Sequence, residues 1–186
     1  LAYFGDRLGD VPAAGIRAQF HDSYEYEGNW SDDFFAEFEK RRGYKLQHHL
    51  AALDGQGDAD EVARVKHDYR ETVSDLVLEN MIEPWTAWSH EHGMLSRNQS
   101  HGSPANWLDL YAACDIPEIE SFGRLVGGDT NRLVFKFASS AANVSGKRLV
   151  SSESATWLDE HFNETLGQVK EIVDRGHEIA YHGWMH

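Results

Sequence analysis

The stretch Gly15–Tyr44, GIRAQFHDSYEYEGNWSDDFFAEFEKRRGY, contains one strand signal followed by one helix signal. Residues 15–23 form a short run of alternating apolar and polar residues that favours a strand. Beyond it, Ser31 is a suitable N-cap and Gly43 a suitable helix end, and the acidic residues between them favour the first helical turn. This unit of strand and following helix sets the pattern for the whole chain.

The same order recurs towards the C-terminus. Strands are predicted over 94–99, 147–153 and 177–183, and helices over 59–80, 103–114 and 163–176. Residues 131–146 are ambiguous between strand and helix, and their Ala and Ser spacing and the terminal Gly146 favour a helix. Pro84 is expected to interrupt the long second helix, and Ser103 is expected to cap the third. Strands that alternate with helices indicate a parallel sheet. We therefore predict an α/β fold, a partial (β/α)8 TIM barrel of about four β/α units.

The whole chain, 1–186, is interpreted as one partial barrel domain with a long helical excursion at about 54–92. Because the sequence lacks an initiating Met and stops directly after an apolar run, we expect it to be a segment of a longer polypeptide. The remainder of that parent chain, or self-association, would then complete the barrel.

The amino-acid composition limits the kinds of ligand that the chain can be expected to bind. The net charge of -14 argues against nucleic acid, and no run of eighteen apolar residues is present to span a membrane. A single cysteine excludes an internal disulfide framework and a cysteine metal cluster. Six Trp and 12% aromatic residues suit a neutral polar ligand with apolar faces, such as a sugar.

Polar residues follow the predicted strands, where a parallel barrel brings side chains to one mouth. They are Glu25 and Glu27, then Arg97, Gln99 and His101, then Glu153, then Tyr181 and His182. Paired carboxylates suit a glycosidase, whereas clustered His and Asp suit a metal-dependent barrel hydrolase. A third possibility is a binding or structural fragment whose polar groups satisfy one another.

Glu153 is the strongest single candidate, because it lies among small residues at a predicted strand end. Glu25 competes with its neighbours Asp22 and Glu27 for the partner role. Glu118 and Glu120, in CDIPEIESFG, are compatible with plain loop charges. Without cysteine partners or an HExxH pattern, a zinc site is the weaker hypothesis.

Four segments together resemble glycoside hydrolase family 106, the α-L-rhamnosidase family. They are FHDSYEYEGNWSDDFFAEFEKRRGY, SRNQSHGSPANWLDLYAACDIPEIESFG, SSAANVSGKRLVSSESATW and YHG, in that order. The resemblance implies a (β/α)8 catalytic barrel followed by β-rich domains, an inverting mechanism, calcium in the site, and a secreted or periplasmic location. It also implies that Glu25 is the general acid, that Glu153 is the general base, and that Glu118 or Glu120 lies near the calcium or the sugar.

We therefore expect a fragment of an inverting α-L-rhamnosidase that acts on plant or bacterial polysaccharides. Asp22, Gln99, His101 and His182 would bind sugar hydroxyls, and Trp157 would offer a stacking face. The two catalytic carboxyl groups of an inverting enzyme are expected roughly 6.5 to 9.5 Å apart. A non-catalytic carbohydrate-binding or interaction fragment and a metal-dependent barrel hydrolase remain the alternatives.

Overall fold

The computed structural model of the chain describes residues 16–25, 28–122, 132–156 and 174. Four strands are present in this part: β1 (Ala18–His21), β2 (Leu95–Gln99), β3 (Ile116–Phe122) and β4 (Ser151–Thr156). The α-helices are α1 (Phe34–Arg42), α2 (Leu50–Leu53), α3 (Ala59–Val77), α4 (Glu83–Glu91), α5 (Trp107–Ala113) and α6 (Arg132–Val144). A 3₁₀ turn, Leu46–His49, precedes α2, and a π-helical turn, Leu78–Ile82, joins α3 to α4.

The strands form one parallel sheet in the order β1-β2-β3-β4. This is the α/β architecture of a partial (β/α)8 barrel, as the alternation of strands and helices predicted. β1, β2 and β4 fall in or next to predicted strands, although β4 begins at Ser151 rather than at 147. The predicted strand at 177–183 and the predicted helix at 163–176 lie outside the described residues, apart from residue 174.

β3 was not predicted. The segment that contains Glu118 and Glu120 was compatible with loop charges, yet it forms a seven-residue strand between β2 and β4. Pro117 obscures it, because proline cannot donate a ladder hydrogen bond and is uncommon inside a strand. Here Pro117 is the second residue of the strand, opposite Asn98 of β2. The strand that carries Glu153 is therefore three places from β1 in the sheet, whereas the predicted strands put it two places away.

The two faces of the sheet differ in what covers them. Ile119 of β3 packs with Tyr111 of α5 and with Ala138 and Ala141 of α6, so helices cover this side, the helical face. Alternate residues point the other way, and the strand register aligns Gln99 with Glu118. We call that opposite side the carboxylate face; in a (β/α)8 barrel it is the interior.

The helical excursion between β1 and β2 is more continuous than the sequence suggested. Pro84 does not interrupt α3, because α3 has already passed into the π-helical turn, and Pro84 lies in the first turn of α4. In that turn the Glu83 N–H donates to the Leu78 carbonyl, five residues back. No described helix is both long and apolar enough to cross a membrane.

The sequence predicted the C-terminal end of α1 correctly, but it did not predict the N-cap residues of α1 and α5. Gly43 closes α1 with φ of 80°, the left-handed conformation that favours glycine. Asp33 rather than Ser31 occupies the N-cap position of α1, and its carboxylate accepts from the Ser31 hydroxyl instead of from the first turn of the helix. The N-cap of α5 lies three residues later than predicted, since the Asn106 side chain, not Ser103, accepts the Leu108 N–H.

Candidate functional site

A polar row crosses the carboxylate face near the C-terminal ends of the strands. Gln99 on β2 lies opposite Glu118 on β3, and Glu120 on β3 lies opposite Glu153 on β4. The register between β3 and β4 then shifts between Glu120 and Phe122, so a bulge directly follows the row. Such bulges are common beside active sites because they redirect neighbouring side chains.

Gln99 connects two of these carboxylates. Its Nε2 donates to Glu118 Oε1 at 3.0 Å and to Glu153 Oε2 at 2.6 Å. An amide nitrogen has two protons, so both are used. The Gln99 amide is thereby held in one orientation, and it in turn fixes the position of the Glu153 carboxylate.

Glu118 is fully buried and has a second partner. The guanidinium of Arg97 donates to Glu118 Oε2 and forms an ion pair with it. Arg97 also lies 4.4 Å from the centre of the Phe20 ring on β1, within cation–π range. Because both oxygens of Glu118 accept strong hydrogen bonds, this carboxylate anchors the row.

Glu120 lies in a different environment. One oxygen from each of Asp22, Glu120 and Glu153 lies within 4.8 Å of the others. The pKa of Glu120 is raised to about 7, mainly by burial and against a hydrogen bond from the Ser23 side chain. The negative charges of Glu153, Asp22 and Glu25 contribute to the same increase.

This carboxylate cluster fits a hard cation. Glu120 Oε2 is buried and has no hydrogen-bond partner among the described residues. Carboxylate oxygens are the ligands that calcium prefers, and a cation there would offset the repulsion that raises the Glu120 pKa. The cluster contains no described histidine, so its donors suit calcium better than zinc.

The loops after β1 and β2 are held together at the edge of this cluster. The Tyr24 N–H donates to the His101 carbonyl at 2.9 Å. Gly102 allows this approach, because a Cβ there would stand 2.7 Å from the Tyr24 carbonyl oxygen. Glu25, directly after Tyr24, is exposed, and its charge reaches Glu120.

The side chains of His101 and His21 have different neighbours from the carboxylate cluster. The His101 ring packs 5.3 Å from that of Trp107, and its buried Nδ1 has no partner among the described residues. His21 Nδ1 lies 2.9 Å from Asn98 Oδ1, and burial lowers the His21 pKa. Since His21 alternates with Phe20, it is on the helical face, away from the carboxylate cluster.

The structure brings together most of the residues that the sequence singled out. They are Asp22, Gln99, Glu118, Glu120 and Glu153, with Glu25 and His101 in the adjoining loops. Trp157 and His182 lie outside the described residues. Glu118 is separate from the carboxylate cluster, and Glu153 is the third residue of β4 rather than the last residue of its strand.

Sequence reasoning did not assign roles to Arg97 and Ser23. The spacing of Arg97 and Gln99, two residues apart on a strand, carries the missed signal, since such residues share a face. Glu118 and Glu120 show the same spacing on β3. Ser23 carries no comparable signal, because its contact with Glu120 depends on the path of the loop after β1.

Comparison with known proteins agrees with this geometry. Residues 3–179 match the glycoside hydrolase family 106 profile, which is described as alpha-L-rhamnosidase. A Formosa agariphila protein provisionally named a beta-glucuronidase is 31% identical in an alignment of 175 residues that covers 91% of this chain and 14% of that protein. The structure of a rhamnosidase from Novosphingobium sp. PP1Y superposes with a TM-score of 0.68 and 26% identity.

That superposition covers 86% of this chain and 17% of the rhamnosidase, so the chain spans a small part of both relatives. The family match, by contrast, extends over nearly all of the sequence and includes every residue of the carboxylate cluster. The chain therefore belongs to glycoside hydrolase family 106, the α-L-rhamnosidase family.

Proposed function

We propose that the chain supplies part of the active site of an inverting α-L-rhamnosidase that removes terminal rhamnose from plant or bacterial polysaccharides. The observation that carries the proposal is the Glu153 carboxylate, held by Gln99 on the interior face of the barrel beside Asp22 and Glu120. Holding several carboxylates close together in a partly buried site destabilises a fold unless their charges are neutralised. A secreted or periplasmic location would suit such substrates.

In this mechanism Glu25 is the general acid and Glu153 the general base. Protonated Glu25 donates its proton to the glycosidic oxygen as the bond from that oxygen to the anomeric carbon breaks. Ionised Glu153 accepts a proton from a water molecule, whose oxygen attacks the anomeric carbon from the opposite side. The product sugar has the inverted configuration.

Sugar hydroxyls would be bound by Asp22, Gln99 and His101 around this centre. Gln99 Oε1 has no hydrogen-bond partner among the described residues, so it is available as an acceptor while its Nε2 holds the carboxylates. Asp22 is exposed at the edge of the carboxylate face. Trp157 and His182 are proposed to complete the sugar contacts.

We propose that Asp22 and Glu120 hold a calcium ion next to Glu153. Calcium would supply a positive charge that offsets the clustered carboxylates and would attract sugar oxygens. Glu118, the other residue expected near the metal, is less suited to this role, because Arg97 and Gln99 already occupy its two oxygens.

The barrel is proposed to be completed by other strands, from the remainder of a longer parent chain or from a second copy. Within the described sheet, β1 pairs only with β2 and β4 only with β3. Unpaired strand edges recruit further strands. The small share of both relatives that the chain spans favours completion by the same polypeptide.

The general base is tested with Glu153→Gln in the complete protein. Removing a general base typically costs roughly 10²- to 10⁴-fold in turnover, so rhamnoside hydrolysis should fall by that factor while rhamnose binding persists. Glu83→Gln, which changes an exposed carboxylate on α4, is the matched control and should hydrolyse at the parental rate. A parental rate in Glu153→Gln would exclude Glu153 as the base.

Two further readouts separate the roles. Glu25→Gln should impair hydrolysis of a natural rhamnoside strongly but that of a 4-nitrophenyl rhamnoside weakly, because nitrophenolate leaves without protonation. NMR should show β-L-rhamnose as the first product of an α-L-rhamnoside. The α-anomer as first product would mean retention and would contradict the proposed base.

A further inference from the structure

Helix α3 presents two basic residues on one of its faces. Lys66 and Arg70 are four residues apart, so their side chains share one face of the helix. No described acidic side chain forms an ion pair with either of them. By contrast, Arg41 and Arg42 on α1 pair with Glu79 of the π-helical turn and with acidic residues of α3. These two cations thus share one face in a chain whose net charge is -14.

These cations line a cavity of about 420 Å³, within the size range of small-molecule sites. Its other walls include Tyr69 of α3, Asn29 from the loop after β1 and Pro104 from the loop after β2. Both loops leave the C-terminal ends of their strands, where the carboxylate cluster lies. Asn29 is four residues after Glu25, a span of at most about 14 Å in a fully extended chain.

The cavity walls are fixed to one another by hydrogen bonds. The Tyr69 hydroxyl donates to the Asn29 carbonyl at 2.9 Å. The Asn106 N–H, in the loop after β2, donates to the Ser74 hydroxyl at 2.9 Å. Since Tyr69 and Ser74 both belong to α3, the helix holds both loops in place. A ligand would therefore meet a preformed pocket, which lowers the entropy cost of binding.

An exposed aromatic side chain lies next to this cavity. Trp30, the residue after Asn29, is 50% exposed, and its ring stacks on Phe34 at 4.7 Å. Phe34 in turn lies 5.2 Å from the Tyr69 ring in the cavity wall. An exposed indole beside a polar cavity offers a surface for the apolar face of a sugar ring.

We propose that this cavity is a substrate subsite for an acidic sugar, one that carries a carboxylate or a sulfate ester, near the rhamnose to be cleaved. Lys66 and Arg70 would bind the oxyanion, and Trp30 would stack on the ring. The proposal rests on the proposed rhamnosidase function and adds to it the class of the neighbouring sugar. The net negative charge of the chain would otherwise disfavour an acidic substrate.

Binding is measured by calorimetry at low ionic strength in the complete protein carrying Glu153→Gln, so that substrates are not consumed. Three rhamnose-terminated oligosaccharides of equal length are compared: one with a uronate, one with a sulfate ester and one neutral. At least one acidic oligosaccharide should bind about tenfold more tightly than the neutral one, and salt should reduce the difference. Which acidic oligosaccharide is preferred identifies the source of the oxyanion.

Variants assign that preference to the cavity. Lys66→Gln/Arg70→Gln should remove it, and Lys66→Arg/Arg70→Lys should retain it. Lys45→Gln/Arg148→Gln removes the same charge from exposed positions elsewhere and should also retain it. Equal affinity for acidic and neutral oligosaccharides, or a preference that survives Lys66→Gln/Arg70→Gln, would overturn the proposal.

Hydrolysis of an aryl α-L-rhamnoside by the protein without Glu153→Gln tests the proposed function separately. If the protein does not hydrolyse the rhamnoside but still prefers acidic oligosaccharides, the rhamnosidase proposal is overturned. The cavity would then bind acidic glycans without being a subsite of a rhamnosidase. Hydrolysis without the preference would overturn only the subsite.

Discussion

Replacing Glu120 with Gln should stabilise the protein in a way that depends on pH and on calcium. Glu120 is only 9% exposed, and burial together with the charges of Glu153, Asp22 and Glu25 raises its pKa to about 7, from an ordinary value of 4.5. Glutamine keeps the shape of the side chain and removes its charge. The substitution therefore isolates the cost of holding one more negative charge in the cluster.

The sign and size of the effect follow from the two pKa values. Below about pH 4.5, Glu120 is protonated in both the folded and the unfolded state, so its charge costs nothing. Between about pH 4.5 and pH 7 the folded state binds more protons, so the free energy of unfolding falls as pH rises. The loss is complete above pH 7 and amounts to about 3 kcal/mol.

The assay is denaturant unfolding in the presence of a chelator at pH 4.5 and at pH 8. Glu120→Gln should match the unsubstituted protein at pH 4.5 and exceed its free energy of unfolding by about 3 kcal/mol at pH 8. Adding calcium at a hundred times its dissociation constant should stabilise the unsubstituted protein by about 2.7 kcal/mol and the variant much less. Glu83→Gln should show neither effect.

A difference between Glu120→Gln and the unsubstituted protein that is the same at both pH values would refute this reasoning. The charged form of the Glu120 carboxyl would then not be destabilised by burial and by its acidic neighbours. Equal stabilisation of both proteins by calcium would remove Glu120 from the proposed metal ligands.

Two further predictions concern the surroundings of the cluster. Arg97→Met should lower the free energy of unfolding by about 3 to 5 kcal/mol, because it leaves the Glu118 carboxylate buried without its cation. Adding Glu118→Met should restore most of that loss in the same denaturant assay, and no restoration would contradict the ion pair. Gly102→Ala should destabilise the protein by more than Gly146→Ala, which should cost about 1 kcal/mol. Both glycines have positive φ, but only a Cβ at Gly102 meets backbone, the Tyr24 carbonyl oxygen, so equal losses would contradict the close approach.

Local signals in the sequence were sufficient for several elements. Gly43 marks the end of α1 because its left-handed backbone conformation is a property of one residue. The predicted helix at 131–146 is confirmed as α6, Arg132–Val144. The alternation of strands and helices gave the parallel sheet, since a parallel connection needs a crossover segment.

Competing local signals caused the errors. Ser31 and Ser103 are both chemically able to cap a helix, but Asp33 and Asn106 hold those positions. Pro117 made β3 difficult to recognise in the sequence. Whether this segment forms a strand or a loop depends on its hydrogen-bonding partners in β2 and β4, which are distant in sequence. The residues next to Pro117 in the sequence do not include those partners, so local patterns do not reveal the strand.

For β1, β2 and β4, the sequence by itself indicated which residues reach the C-terminal edge of the sheet, because strand direction and side-chain alternation follow from local pattern. It therefore gave Asp22, Gln99 and Glu153 as neighbours in general terms. Only the tertiary structure decided their partners: Arg97 and Gln99 hold Glu118, whereas Glu120 is left with Asp22 and Glu153. Two glutamates two residues apart on one strand are equivalent in sequence. They differ in the fold because register and burial, both set by contacts between distant segments, place a cation beside one and negative charges beside the other.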